Sequence, residues 1–260
     1  LPVIFSVIFF YIPLSSMAWG MLGHRIVAEI ADKYLSSKAR LEINRILGTE
    51  SMAGASNWAD FIKSDSNFRY LGSWHYADFP KGLSYGEMQQ ELKKDTSTDA
   101  YTRLIFLIKE LKKKNLPADK KLMYLRLLIH IVGDIHQPLH VSPVGNSGGN
   151  DIKLSWFTTP SNLHRVWDEH LIEYQQLSYT EYARELNHTT AAQRKSLQQQ
   201  PISRWIYDSY VIAGQINNEI TTENPKLSYR YNFDHIAILN RQLLVGGVHL
   251  AGLLNEIFGK

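Results

Sequence analysis

Apolar residues recur at spacings of three and four along residues 24–47, 98–115, 120–136, 203–222 and 233–258. That period belongs to amphipathic helices whose apolar face turns towards a core. Residues suited to helix N-caps stand near the starts of these rows (Ser36 and Ser37, Asp99, Asp119, Ser203), and Pro117, Pro138 and Pro201 fall between them, where a missing N–H costs least. Residues 142–150, with three glycines, read as a loop, and residues 151–157 alternate like a short strand. No linker, fixed-period repeat or extended low-complexity tract divides the chain. The pattern predicts a single all-α domain, a helical bundle with a short strand or β-hairpin.

The first 18 residues break this pattern. They carry no charge, are rich in Val, Ile, Phe and Leu up to Leu14, and end in Ser16-Met17-Ala18, small residues of the kind a signal peptidase reads. Residues 1–18 are therefore expected to be a cleavable signal peptide, with a mature domain over 19–260. The alternative, a membrane anchor, needs a longer apolar run. Export with no cysteine at all excludes disulfide support and fits a periplasmic or bacterial extracellular protein, in which bound metal could supply the cross-links. The formal net charge of +3 is a mild excess that suits anionic partners without identifying one.

Chemistry enters at His130 and Asp134, four apart in an otherwise apolar helix and hence on one face. Burying a carboxylate is costly unless it is paired or bound to a cation. A zinc site and a hydrogen-bonded His–Asp pair account equally well for these two alone. The spacing returns at His164 and Asp168, after the glycine-rich loop, and His140, Asp60, His75 and His24 bring the number of histidines and aspartates that could converge to eight. That exceeds one tetrahedral zinc. Several metals sharing a carboxylate are the arrangement used for phosphoryl displacement, so phosphoester hydrolysis is the chemistry implied.

The residues that carry these ligands also carry a family likeness. Trp19-Gly20, Gly23-His24, Asn57-Trp58-Ala59-Asp60, Trp74-His75-Tyr76, the run from His130 to His140, Gly148-Gly149-Asn150-Asp151 and Asn162-Leu163-His164 through Asp168 resemble, in order and spacing, the trinuclear-zinc single-strand nucleases of the mung bean nuclease type. These share a superfamily with bacterial zinc-dependent phospholipase C. The resemblance implies a helical bundle with three zinc ions at the floor of a cleft. Asp60, His75, His130 and Asp134 would hold one zinc, His140, His164 and Asp168 a second, and His24, the bridging Asp134 and the free amine and carbonyl of Trp19 the third. Water shared between two zincs would be the nucleophile. Three dications against Asp60, Asp134 and Asp168 would leave the site positive, suited to phosphate.

The resemblance further implies that Lys63 stabilises charge on the scissile phosphate, although by itself it reads as a surface lysine. It assigns Asp78 and Asn150 to hydrogen bonds with the nucleobase beside the cut and Tyr76 to stacking on it. The expected activity is endonucleolytic cleavage of single-stranded DNA and RNA to 5′-phosphorylated products, with 3′-nucleotidase activity, and no stable membrane association after signal cleavage. A zinc-dependent phospholipase C and a non-catalytic zinc-binding protein are the competing readings; the nucleotide-facing residues argue against the first and an open cleft against the second. His136 points away from the face of His130 and Asp134 and is expected to support the ligands from behind, and His170, His188, His235 and His249 have no partner pattern. Trp156, Phe157 and Trp167 read as core or cleft wall, and the sequon at Asn187-His188-Thr189 is not credited in a cysteine-free exported chain.

Overall fold

Polar caps decide where the amphipathic rows become helices. The row over residues 24–47 is two helices, α1 (Met21–Lys33) and α2 (Ser37–Leu47), because the Ser36 side chain accepts from the Ala39 amide at 3.2 Å and starts a second helix. The computed structural model describes residues 19–259, so the expected signal peptide lies outside the described residues. After α2 come α3 (Met52–Ala55), α4 (Trp58–Ile62), a 3₁₀ segment (Ser66–His75), strand β1 (Ala77–Phe79), α5 (Tyr85–Lys94), α6 (Ala100–Leu111) and α7 (Ala118–Asp134). A 3₁₀ turn (Pro138–His140) leads into β2 (Val141–Pro143) and the glycine-rich loop, and then to the hairpin of β3 (Lys153–Trp156) and β4 (Thr159–Asn162). One continuous helical stretch follows, made of α8 (Leu163–Arg165), a π-helical turn (Val166–His170) and α9 (Leu171–Glu173). The chain ends with α10 (Tyr179–Leu186), α11 (Ala191–Gln198), α12 (Ile202–Glu219), β5 (Lys226–Leu227) and α13 (Tyr229–Phe258).

The all-α expectation holds, and the strands are short. The β1–β2 pair is parallel, with Asp78 opposite Ser142, and β5 adds in parallel to the β3–β4 hairpin. Two expected caps are corrected. Pro117 caps α7 and Pro201 caps α12, each in extended backbone that leaves its carbonyl to accept the first helical bond. Asp119 and Ser203 lie inside the first turns, where Asp119 still faces the positive end of the helix dipole.

At the centre stands α7, every residue of which from Leu127 to Asp134 is buried. Around it pack α1, α2, α3, α4, α6 and α13. A helix apolar all round belongs in the middle of a bundle. Helix α13 is long and apolar enough to cross a bilayer, but 56% of that window is buried in this fold, where it packs along α1 as a core wall.

Candidate metal centre and active-site cleft

The C-terminal turn of α7 presents His130 and Asp134 to candidate ligands from the rest of the chain. His24 comes from α1, Asp60 from α4 and His75 from the end of the 3₁₀ segment. His140 ends the turn after Pro138, while His164 and Asp168 lie on α8 and the π turn. His24, His75, His130, His140, His164, Asp134 and Asp168 are all buried. Side-chain atoms of ligand type within 4.8 Å of one another form three groups, His24/Asp60/His130 and His75/His130/Asp134, which share His130, and His140/His164/Asp168.

The histidine tautomers are set by backbone carbonyls. Nδ1–H of His130 donates to Ser56 at 2.6 Å, that of His140 to His75 at 2.7 Å and that of His164 to Gly148 at 2.7 Å. Each leaves Nε2 as a lone pair facing the cluster. The Gly148 carbonyl reaches His164 because Gly148 has φ +59°, and a Cβ there would stand 2.5 Å from the Leu139 carbonyl oxygen. His24 instead stacks on His130, with ring centroids 3.8 Å apart.

Asp134 sits among these rings, 3.3 Å from His24 Nε2, 3.1 Å from His75 Nδ1 and 3.3 Å from His130 Nε2. Burial alone would raise its carboxyl, but His130, His24 and His75 hold it well below the ordinary range. Asp60 behaves likewise, its burial outweighed by His130, Lys63 and His75; Lys63 Nζ lies 2.7 Å from its Oδ1. Burial pushes His75 down to about 4 and lowers His130 and His140, favouring neutral imidazoles. At the other end, burial lifts Asp168 to about 6 against the pull of His164, 3.0 Å away. Around Asp60 and Asp134 the result is a nest of neutral rings and low-lying carboxylates, the protonation state in which such groups bind a metal; at His164 burial is outweighed by the Asp168 carboxylate, which raises the ring.

Trp19 is fully buried beside this nest. The Gly20 amide donates to the Asp168 carbonyl at 2.9 Å, and a Cβ on Gly133 would lie 2.6 Å from His24 Nδ1 and 3.7 Å from Trp19 Cδ1. Trp19, His24 and the end of α7 thus meet. Lys63, Tyr76, Asp78 and Asn150 line, with His75, His140 and His164, a cavity of about 300 Å³. Tyr76 is 47% exposed, an aromatic open to solvent beside buried histidines. Partial desolvation raises the Asp78 carboxyl, and Asn150 donates to the Ser147 carbonyl at 2.8 Å.

One expectation fails. His136 supports none of these side chains: its Nδ1–H donates back to the Val132 carbonyl, and its Nε2 meets His249 Nδ1 at 2.7 Å on the α13 side of α7. A residue two places from Asp134 points to another helix face. His249 therefore has a partner, as does His235, which lies 2.6 Å from Glu219 Oε2. The supporting role belongs instead to Gln137, whose amide donates to Asp168 Oδ1 and whose oxygen accepts from the Leu139 amide. A glutamine between two ligand positions and before a proline was the available signal. Trp167 is core, its Nε1–H donating to Tyr231. Trp156 lies beside the turn of the hairpin, stacked on His170.

The chain from residue 19 to 259 matches the family model described as S1/P1 nuclease. "Endonuclease 3" of Arabidopsis thaliana is 27% identical over 94% of this chain and 90% of its own length. "Nuclease P1" of Penicillium citrinum is 26% identical over 93% of this chain and 98% of its own. "Nuclease S1" of Aspergillus oryzae is 30% identical over 60% of this chain and 55% of its own. Because the match runs through every segment that builds the cleft, the chain belongs to the S1/P1 nuclease family and is a nuclease.

Proposed function

We propose that the cleft binds three zinc ions and hydrolyses phosphodiester bonds of single-stranded DNA and RNA, leaving 5′-phosphates, and that it also removes the phosphate of 3′-nucleotides. The observation that carries this reading is a set of buried ligand atoms with no hydrogen-bond partner: both ring nitrogens of His24, Asp60 Oδ2, Asp134 Oδ1 and the Nε2 atoms of His75, His140 and His164. Such groups are costly to bury unless something fills the space between them. A closed His–Asp hydrogen-bond network would leave few of them open. Histidine and aspartate in this mixture suit zinc.

Asp60, His75, His130 and Asp134 would hold one zinc and His140, His164 and Asp168 a second. His24, Asp134 and the amine and carbonyl of Trp19 would hold the third. Zinc supplies a lowered pKa for its water and Lewis-acid polarisation of the phosphoryl oxygens. The chain's own groups do the rest. Lys63, kept at the cleft by Asp60, offers a positive charge to the phosphate as negative charge develops. Tyr76 gives an exposed face on which any unpaired base can stack, worth roughly 1–3 kcal/mol, and Asp78 and Asn150 reach the edge of that base. A base stacked inside a duplex is not available to Tyr76, which is the basis for single-strand preference.

The amine of Trp19 becomes a ligand only if residues 1–18 are removed, since an amide nitrogen has no lone pair to give. Export to the periplasm or medium would then also be activation. N-terminal sequencing of exported protein should read Trp19, and protein retaining residues 1–18 should hold less zinc. The central test is hydrolysis by zinc-loaded protein of single-stranded DNA, RNA, duplex DNA, a 3′-nucleotide and phosphatidylcholine. Cleavage of the first two and the 3′-nucleotide well above duplex is expected. Turnover of phosphatidylcholine alone would move the reading to a phospholipase.

A further inference from the structure

A second cavity, of about 380 Å³, adjoins the cleft, and its one lysine is Lys81. The glycine-rich loop runs between the two cavities: Asn146 lines the outer one and the next residue, Ser147, the inner one. Lys81 lies three residues beyond Asp78, just past the end of β1, and its Nζ stands 3.9 Å from where a Cβ on Gly145 would be, against the loop that carries Asn150. Among the described residues Lys81 has no ion pair or hydrogen-bond partner.

The turn that carries it is nonetheless braced. Tyr210 on α12 donates its hydroxyl to the Pro80 carbonyl at 2.6 Å and accepts from the Leu83 amide at 3.1 Å, clasping the turn on both sides of Lys81. The Val144 amide donates to the Phe79 carbonyl at 3.0 Å, which ties the glycine-rich loop to the same turn. A cation without a partner, held on a braced turn beside an amide-lined hollow, fits an anion that arrives with the substrate.

We propose that Lys81 binds the 5′-phosphate of the nucleotide whose base lies on Tyr76. This rests on the nuclease reading above. If a 3′-nucleotide is hydrolysed in this cleft with its base on Tyr76, Asp78 and Asn150, its 3′-oxygen faces the histidines and Lys63. Its 5′ end then points away from them, towards the outer rim. In a polynucleotide that end carries the next phosphate of the strand, and in adenosine 3′,5′-bisphosphate it carries a terminal one. Lys81 therefore makes the site read more than one nucleotide and favours strands over isolated 3′-nucleotides.

The test compares kcat/KM for adenosine 3′-phosphate and adenosine 3′,5′-bisphosphate, with the zinc-loaded wild-type protein, Lys81→Ala and Lys81→Arg. An exposed charge pair gives roughly a two- to fivefold preference for the bisphosphate in the wild type at low salt. That preference should sit in KM, shrink as salt is raised, vanish in Lys81→Ala and persist in Lys81→Arg, while adenosine 3′-phosphate is turned over alike by all three. A wild type without preference, a Lys81→Ala variant that keeps it, or one equally impaired on both substrates would overturn the assignment. If the wild type cleaves single-stranded DNA but shows no bisphosphate preference, only Lys81 is misassigned. If it cleaves neither nucleotides nor DNA, the nuclease reading of this cleft falls and the inference with it.

Discussion

Asp134 is the residue on which the cleft turns, because three histidine rings approach it within 3.3 Å and its Oδ1 has no hydrogen-bond partner. Asparagine keeps its shape but removes its charge and replaces one acceptor with a donor facing imidazoles. Loss of even a supporting partner of a metal ligand costs roughly 10–100-fold in metal affinity or activity, and a bridging carboxylate should cost more. Asp134→Asn should therefore lose at least one zinc per chain and at least about a hundredfold in kcat on single-stranded DNA. Metal analysis with single-turnover kinetics checks this; full zinc content with wild-type turnover would remove Asp134 from the centre. The importance of Asp134 was legible in the sequence, since a carboxylate four residues from a histidine in an apolar row has to be explained. Its surroundings were less so. The carbonyls of Ser56, His75 and Gly148, which orient the rings, belong to the backbone and leave no side-chain signature.

At the scale of elements, Gly133 shows how a helix gives way to a site. Gly133 lies in the last turn of α7, where alanine would still be the better helix former by at most about 1 kcal/mol, yet a Cβ there would lie 2.6 Å from His24 Nδ1 and 3.0 Å from its Cε1. Gly133→Ala must push back the His24 ring, which is stacked on His130 and has nowhere open to go. Overpacking of this kind costs roughly 1–3 kcal/mol, so the variant should melt lower and bind less zinc than the wild type. Higher stability with full zinc would show that His24 yields freely. The long helices were readable because their apolar rows run for many turns. Helices α5, α10 and α11 were not, being only 10, 8 and 8 residues long. They begin instead with the capping boxes Ser84/Glu87, Ser178/Glu181 and Thr190/Gln193, a signal that periodicity ignores. The π turn was also hidden. His164 and Asp168 were expected one α-helical turn apart, and the widened turn still leaves them 3.0 Å apart.

The whole molecule has no disulfide to hold it, and its candidate ligands come from segments scattered between residues 19 and 168. Metal bound only by the folded state adds RT ln(1 + [L]/Kd), about 4 kcal/mol at a thousandfold excess over Kd, so chelation should lower the melting temperature. The chelated protein should also be sensitive to acid. Burial pushes His136 down to about 4 and, helped by His136 itself, holds His249 well below its ordinary value. The unfolded chain takes up these protons near pH 6.5, where the folded chain refuses them. Stability is therefore fully present above about pH 6.5 and falls as pH drops towards the folded value, by at most about 1.4 kcal/mol per pH unit for each such histidine. His249→Gln, which keeps a polar side chain beside His136, should flatten that slope by about one proton between pH 6.5 and 5. Urea midpoints of the chelated wild type and variant across this range measure it directly. The zinc-loaded protein should start higher at pH 7 and fall faster, since acid also protonates His75, His130 and His140 and releases metal, until the loaded and chelated curves meet. Parallel loaded and chelated curves would mean that zinc is held by groups that do not titrate there, and the histidine cluster would lose its role. Equal slopes for wild type and His249→Gln would show that the His136–His249 pair is already protonated in the folded chain.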